Sequence, residues 1–274
     1  MSADILKRWL AGARPGALWV EYDDYAGRVF AGAPADWLSQ AVRYANTLGQ
    51  ARKIVRTDVL TIDLTAPCLA RAPAAGSPAE RARAALEDAG ARAFGTEVLD
   101  ALAHKFAGDT DLALKIASPR DLLRRCGEQG EPSFDDLDEL ATALAGLLRA
   151  LADKPVAALL VAREDAQAWT ADEAEACEPL FSAAHHYGWA TALGVGAALL
   201  EGGEEFSGVD LLLCAEAPAG RLAARERPRV GGGLPEAYWR GDAAPALPAG
   251  TLAYGVIPAD AEPERIVARC AALG

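Results

Sequence analysis

Eight short apolar segments recur along the chain, separated by polar or helix-like stretches of sequence. The segments are continuously apolar rather than alternating, which indicates parallel strands covered by helices on their outer face. Regular alternation of eight such strands with helices predicts a closed (β/α)8 TIM barrel of the α/β class. The predicted strands span residues 17–21, 59–64, 112–117, 156–162, 190–195, 209–214, 229–231 and 252–257.

Apolar residues recur three or four positions apart between the predicted strands, as is typical of amphipathic helices. Capping boxes mark two helix starts, where Ser77 precedes Glu80 and Thr170 precedes Glu173 by three positions. Residues 236–250 contain too many helix breakers for a full helix, so the last crossover is predicted to be degenerate. The predicted helices span residues 35–54, 77–107, 134–153, 171–187 and 263–273.

Composition narrows the class of protein further. The chain has 274 residues and is 51% hydrophobic, so we expect one large core and a single domain over residues 1–274. No stretch approaches the roughly 18 consecutive apolar residues of a membrane helix, and no secretion signal is recognisable, so we expect a soluble cytoplasmic protein. Five scattered cysteines predict reduced thiols. The net charge of −12 repels a phosphate backbone, which argues against a nucleic-acid partner.

Chemistry in a barrel of this kind lies where the C-terminal ends of the strands meet the following loops. The sequence places many carboxylates at those ends, and paired carboxylates can divide acid and base functions when burial separates their pKa values. Solvated loop acids are the alternative interpretation, since most Asp and Glu side chains are exposed. The predicted rim consists of residues 21–24, Asp63, Thr65, Ser118, Arg120, Arg163, Glu164, Asp165, Gly194, Gly196, Cys214, Glu216, 231–233, Tyr254 and Asp260.

Other catalytic groups are poorly supported by the sequence. His104, His185 and His186 fall on helices that lead toward strand starts, at the end of the barrel opposite the rim. Cys214 has no histidine placed to activate its thiol, so packing is the favoured interpretation. The glycines at 231–233 follow the seventh strand, where barrels often bind phosphate through backbone N–H groups, although glycine serves close packing equally well.

The triplet Ala26-Gly27-Arg28, shortly after the first predicted strand, resembles a turn of the uroporphyrinogen decarboxylase-like barrels. Residues 6–15 resemble the leading helix of that family, and residues 57–65 resemble its second strand with Asp63 at the tip. The resemblance extends thinly over nearly the whole chain and implies an N-terminal helical extension before the barrel. Further similar segments span residues 116–123, 163–169 and 254–265.

The resemblance implies roles for individual residues. Arg28 corresponds to the arginine that binds a substrate carboxylate, and Asp63 to the carboxylate that accepts hydrogen bonds from the substrate; both roles are physically reasonable. For proton transfer we predict Asp24, Tyr25 or Asp165. Further substrate contacts are predicted at Ser118, Arg120, Glu164, Tyr254 and Gly232.

The chain also departs from the family pattern. Asp24 and Tyr25 stand where the family has arginine and glutamine, and Tyr254 stands where it has a histidine. These changes and the acidic rim predict a substrate other than a polycarboxylated tetrapyrrole. We therefore predict a decarboxylase-type carbon–carbon lyase that acts on a carboxylated small molecule without a metal or an organic cofactor.

Two alternatives remain open at this stage. The same superfamily contains zinc-dependent methyltransferases, and a C1-group transferase is the first alternative, although residues 191–194 and 254–256 lack the histidine and cysteine ligands of that zinc. The second alternative is a non-catalytic binding or scaffold subunit. Family precedent also implies a homodimer.

Overall fold

A computed structural model describes residues 3–32, 37–163, 169–202, 206–224, 226–243 and 245–273. Eight parallel strands pair in chain order, and the eighth strand pairs with the first to close the barrel. The prediction of a (β/α)8 barrel is therefore confirmed. The strands are β1 Ala17–Glu21, β2 Val59–Asp63, β3 Asp111–Ala117, β4 Val156–Ala162, β5 Ala190–Gly194, β6 Leu211–Cys214, β7 Arg229–Gly233 and β8 Leu252–Val256.

Helices follow the strands and cover the outside of the barrel. Among its described residues the last crossover contains one short helix, in agreement with the prediction from its helix breakers, and a further short helix precedes β1. The helices are α1 Ile5–Leu10, α2 Asp23–Ala26, α3 Ala41–Ala51, α4 Thr65–Leu69, α5 Pro78–Glu87, α6 Ala89–Lys105, α7 Pro119–Arg125, α8 Phe134–Ala150, α9 Ala171–His186, α10 Ala197–Gly202, α11 Ala219–Ala223, α12 Glu236–Arg240 and α13 Pro263–Ala272.

The helix predicted over residues 77–107 is interrupted at one position. Asp88 has an extended backbone conformation, and its carboxylate accepts a hydrogen bond from the Ala91 N–H, so it ends α5 and caps α6. The capping box at the start of α5 is present, with reciprocal bonds between Ser77 and Glu80. Apolar residues recur at helical spacing on both sides of Asp88, because α5 and α6 each bury one apolar face. The spacing of apolar residues therefore does not reveal where the first helix ends.

The segment after β1 is helical rather than a simple turn. Helix α2 runs directly into a π-helical turn, Gly27–Ala31. At Gly27 an added Cβ would lie 2.7 Å from the indole of Trp37, so the ring packs directly on the helix backbone. Consequently the triplet that resembled a family turn lies within a helix, and this helix sets the directions of Asp23, Asp24 and Arg28.

The apolar core has two layers. One layer fills the barrel and includes Trp19, Leu160 and Leu213, while the other lies between the sheet and the helices. Helix α1 packs Leu6 and Trp9 against the inner layer and so covers the N-terminal end of the barrel. Within the part of the chain that the structure describes, no helix has both the length and the apolar character needed to cross a membrane.

Candidate active site

Two cavities, each of about 360 Å³, open where the C-terminal ends of the strands meet their loops. The axial cavity lies across the mouth of the barrel, and the lateral cavity lies over the loops that follow β1 and β2. The axial cavity is lined by Glu21, Lys115, Ala162, Arg163, Gly194, Val195, Gly196, Leu213, Ala215, Glu216, Glu236, Tyr254, Val256 and Pro258. The lateral cavity is lined by Asp23, Asp24, Gly27, Arg28, Trp37, Leu38, Tyr44, Asp63, Ala66 and Ala259.

A buried carboxylate forms the floor of the axial cavity. Glu21 ends β1 and is only 2% exposed. Its Oε1 accepts a hydrogen bond of 2.5 Å from the Tyr254 hydroxyl on β8, and its Oε2 accepts one of 2.7 Å from Lys115 Nζ on β3. Three strands thus contribute one hydrogen-bonded chain of side chains to the barrel interior.

Lys115 connects this floor to the lateral cavity. Its Nζ lies 3.9 Å from Asp63 Oδ2 at the tip of β2. Burial by itself would lower the pKa of Lys115, but the carboxylates of Glu21, Asp63 and Asp23 outweigh burial, and the pKa is raised above its usual value. Lys115 is therefore an ammonium group at neutral pH and acts as a cationic donor rather than as an amine nucleophile.

Asp23 is the most strongly perturbed carboxyl group of the lateral cavity. Burial, followed by the nearby charge of Asp63, raises its pKa from 3.8 to about 7, against the opposing effects of Lys115 and of a hydrogen bond from Tyr44. The Tyr44 hydroxyl donates to Asp23 Oδ1 at 2.8 Å and accepts a bond of 3.1 Å from the Asp63 N–H. Asp23 can therefore gain or lose a proton near neutral pH, which suits an acid–base role.

Three of the predicted catalytic residues line this same cavity. Arg28 and Asp24 are exposed at its rim, and Asp63 reaches it from β2. Residues 23 and 27, and likewise 24 and 28, are four positions apart, so one face of the helical segment is turned toward the cavity. The structure thus brings Arg28, Asp24 and Asp63 together, and their catalytic roles stay predictions.

The predicted proton-transfer residue Tyr25 lies elsewhere. It falls on the opposite face of the same helical segment, is fully buried, and is absent from the described lining of both cavities. Burial, followed by the proximity of Cys270 and Glu264, raises the pKa of its hydroxyl. Asp165 and Glu164 lie outside the described residues.

Ser118, Arg120 and Gly232 occupy packing or capping positions. Ser118 caps α7 by accepting a hydrogen bond from the Asp121 N–H, and Arg120 is paired with Glu173 and Glu131. A Cβ on Gly232 would lie 2.0 Å from the Cys214 carbonyl oxygen, so this glycine permits close strand packing. Among the described residues, Ser118, Arg120 and Gly232 do not line either cavity. The predicted binding residue Tyr254 does line the axial cavity.

Cysteine and histidine contribute little at the mouth. Burial raises the pKa of the Cys214 thiol to about 11, so it is protonated at neutral pH. His185 bonds to Asp210, which precedes β6 at the other end of the barrel. Across the described ranges no group of three or more His, Cys, Asp or Glu side chains is arranged to hold a metal ion.

Sequence reasoning did not select Lys115, Glu21, Asp23 or Tyr44 as site residues. Lys115 had a usable signal, because a lysine inside a continuous apolar strand must face either the barrel interior or a partner. Glu21 and Asp23 fell on the predicted rim without a feature that separated them from its other acids. Tyr44 comes from α3, and nothing local in the sequence connects it to the mouth.

The chain is a (β/α)8 barrel whose mouth brings together several charged and titratable groups. No protein-family model and no curated protein matches the sequence. Among solved structures, a methyltransferase from Methanosarcina mazei is 11% identical, with 99% of this chain and 98% of that chain covered and a TM-score of 0.62. A GH26 β-mannanase from Bacteroides ovatus is 12% identical, with coverages of 93% and 84% and a TM-score of 0.50. At these identities the similarity establishes the fold alone.

Proposed function

We propose that this protein is an enzyme, a decarboxylase-type carbon–carbon lyase that acts on a small carboxylated molecule in the lateral cavity. The observation that carries the proposal is the shared lining: Arg28, Asp63 and Asp23 face one hollow, and Asp23 has a pKa of about 7. A guanidinium for binding a carboxylate and a carboxyl group that titrates near neutrality are the two groups such a reaction needs.

In the proposed reaction, each residue of the lateral cavity has a separate role. Arg28, at the exposed rim, binds a carboxylate of the incoming substrate and orients it. The bond between the departing carboxylate carbon and its neighbour breaks, carbon dioxide leaves, and the electron pair remains on the substrate. The neutral form of Asp23 then donates its proton to the carbon that lost the carboxylate. The carboxylate of Asp63 stabilises the positive charge of a protonated, unsaturated group beside the reacting carbon of the substrate, and this group takes up the electron pair when carbon dioxide leaves.

Tyr44 and Lys115 support these groups. The Tyr44 hydroxyl fixes the orientation of Asp23, and the Lys115 ammonium balances part of the negative charge of Asp63. Trp37 and Leu38 supply an apolar wall that limits solvent around the carboxyl groups and strengthens their interactions.

The shared lining of the lateral cavity also supports a proposed family relationship. Arg28 of the Ala-Gly-Arg triplet and Asp63 at the tip of β2 line one cavity, which supports a divergent relationship to the uroporphyrinogen decarboxylase-like barrels. The homodimer implied by that family stays a prediction.

A C1-group transferase is the second candidate, suggested by the name of the Methanosarcina mazei neighbour. Transfer of an isotopically labelled methyl group from a corrinoid or folate donor, without release of carbon dioxide, would favour it. A non-catalytic binding protein would show neither activity.

The test measures carbon dioxide release from a panel of small mono- and dicarboxylic acids. Asp23→Asn and Arg28→Ala are each expected to reduce kcat/KM by about 100-fold or more, because each removes a directly participating group. Asp135→Asn, on the exposed surface of α8, is the matched control and should retain turnover. Full turnover by folded Arg28→Ala and Asp63→Asn variants would refute the proposal.

A further inference from the structure

The proposed reaction leaves the axial cavity without an assigned ligand, although this cavity contains the most deeply buried charged groups of the mouth. We propose that it is a binding site for a neutral, polyhydroxylated molecule of about the size of one sugar ring. The inference rests on how the charges that line the cavity are already paired.

The floor presents both donors and acceptors. Lys115 Nζ has three donors, of which one is directed to Glu21, and its side chain is one-quarter exposed. Glu21 accepts from Lys115 and Tyr254, so its negative charge is compensated by a cation and a hydroxyl. The floor is therefore rich in hydrogen-bonding groups without an excess of either charge.

The wall repeats this arrangement. Arg163 follows β4, and its Nη1 donates a 2.5 Å hydrogen bond to Glu173 Oε2, a carboxylate with no solvent exposure. The guanidinium also lies 5.6 Å from the centre of the Trp169 ring, which fixes its plane. Glu173 also pairs with Arg120, so a shielded ion-pair cluster lies behind this wall of the cavity.

A charged ligand meets a like charge in the Lys115–Glu21 pair at the floor. An anion would approach the Glu21 carboxylate at the floor and the exposed carboxylate of Glu216 at the rim, where Glu236 is already paired with Arg240. A cation would approach the Lys115 ammonium, whose side chain is one-quarter exposed. A hydroxyl group, in contrast, donates to a carboxylate and accepts from an ammonium, so adjacent hydroxyls satisfy both Glu21 and Lys115 at the floor.

The dimensions agree with a small ligand. A cavity of about 360 Å³ lies near the lower end of the roughly 300 to 1,000 Å³ typical of ligand pockets. Gly194 and Gly196, at the end of β5, contribute backbone without side chains and leave this side open. Apolar contact comes from Leu213 and Val256, which suits the C–H faces of a ring.

The experiment measures binding to the purified full chain by saturation-transfer NMR and calorimetry. The probes are D-mannose, D-glucose and myo-inositol, with succinate and putrescine as the charged counterparts. We expect saturable millimolar binding of at least one neutral probe and, in the Arg28→Ala variant, where succinate cannot bind through the lateral-cavity arginine, weaker binding of both charged probes. Lys115→Met should weaken that binding about tenfold, and Tyr254→Phe several-fold, because each removes a polar group of the floor.

Arg28→Ala is the matched control, since it alters the lateral cavity and should leave the affinity of the axial cavity unchanged. Tyr254→Phe removes a single hydroxyl, which keeps the test valid if Lys115→Met does not fold. Absence of saturable polyol binding, tighter binding of a charged probe that persists in Arg28→Ala, or affinity that both floor variants leave unchanged would overturn the proposal. None of these readouts requires turnover, so the result is separate from the fate of the proposed reaction.

Discussion

At the N-terminal end of the barrel, three carboxylates next to strand starts accept hydrogen bonds from backbone N–H groups. Asp58 accepts from Leu18 at 2.9 Å and from Arg14, and Asp210 accepts from Thr191 at 3.1 Å. Asp111, buried at the start of β3, accepts from Leu6 at 2.8 Å, in the first turn of α1. These acids connect separate segments of backbone and stabilise the closed end of the barrel.

The carboxylates of the C-terminal end are held differently. Glu21 is bonded by the side chains of Tyr254 and Lys115, while Asp23 depends on the Tyr44 hydroxyl and faces the charge of Asp63. Here like charges crowd one another and two cavities adjoin them. Carboxylates therefore stabilise the N-terminal end of the barrel. At the C-terminal end they are held in an unfavourable environment that raises the pKa of Asp23, as is typical of functional sites.

The largest expected effect lies at the closed end, in Trp9→Ala. The indole is 1% exposed, donates to the Gly250 carbonyl at 2.9 Å, and has the Arg229 guanidinium 3.7 Å from its ring centre. Removing it creates a cavity and leaves these polar groups without their contact. The free energy of unfolding should fall by about 3–5 kcal/mol, measured by urea denaturation.

Lys7→Ala on the exposed face of the same helix is the matched control and should change stability by less than about 0.5 kcal/mol. Ligand affinity at the mouth should be unchanged in folded Trp9→Ala. A loss of affinity together with unchanged stability would mean that the two ends of the barrel are not separated in the way proposed.

Asp23→Asn should change how stability depends on pH. Burial and the charge of Asp63 raise the pKa of Asp23 from 3.8 to about 7, so between those values the folded state retains a proton that the unfolded chain has released. Wild-type stability must therefore fall as pH rises from about 4 to about 7. The variant lacks this titration and should gain on the order of 1–3 kcal/mol relative to wild type across that window.

Denaturant unfolding at intervals of pH provides the measurement. Tyr44→Phe is a second test of the same titration. The hydrogen bond from Tyr44 opposes the rise in the pKa of Asp23, so removing this bond should extend the fall in stability to higher pH. Parallel stability curves for wild type and Asp23→Asn from pH 4 to 7 would show that another group titrates there.

The strand boundaries could be predicted because continuous apolar runs reflect burial on both faces of a parallel sheet, a local property of the sequence. Asp63 could be placed at the mouth because it ends β2, whereas Arg28 follows β1 by seven positions and was predicted there only through the family resemblance of the Ala-Gly-Arg triplet. Tyr25 was predicted beside them because the segment after β1 was interpreted as a turn. In the helix that forms there, successive residues differ by about 100° in direction, and Tyr25 faces away from the cavity.

Lys115 and Tyr44 show what local sequence does not contain. The direction of Lys115 depends on the register of β3 against β2 and β4, and its partner Glu21 is 94 positions away in the chain. Tyr44 reaches the mouth only through the packing of α3 beside α2. The contacts among these charged and hydroxyl groups form only when the strands of the barrel come together. In the sequence, each of the residues looks like an ordinary polar residue.

Ser118→Ala provides the smallest expected effect and tests whether every polar residue near the mouth belongs to the site. Ser118 is fully buried, caps α7 through the Asp121 N–H and hydrogen-bonds the buried Glu173 carboxylate, so its loss should reduce stability by about 1–2 kcal/mol, measured by urea denaturation. Ser77→Ala, which removes the exposed cap of α5, is the matched control and should lower stability by no more than this. Ser118→Ala should leave ligand affinity intact, because the described cavity linings do not include it. Lost affinity with unchanged stability would instead return Ser118 to the substrate-binding role that the sequence predicted, and would extend the functional region of the mouth to the start of α7.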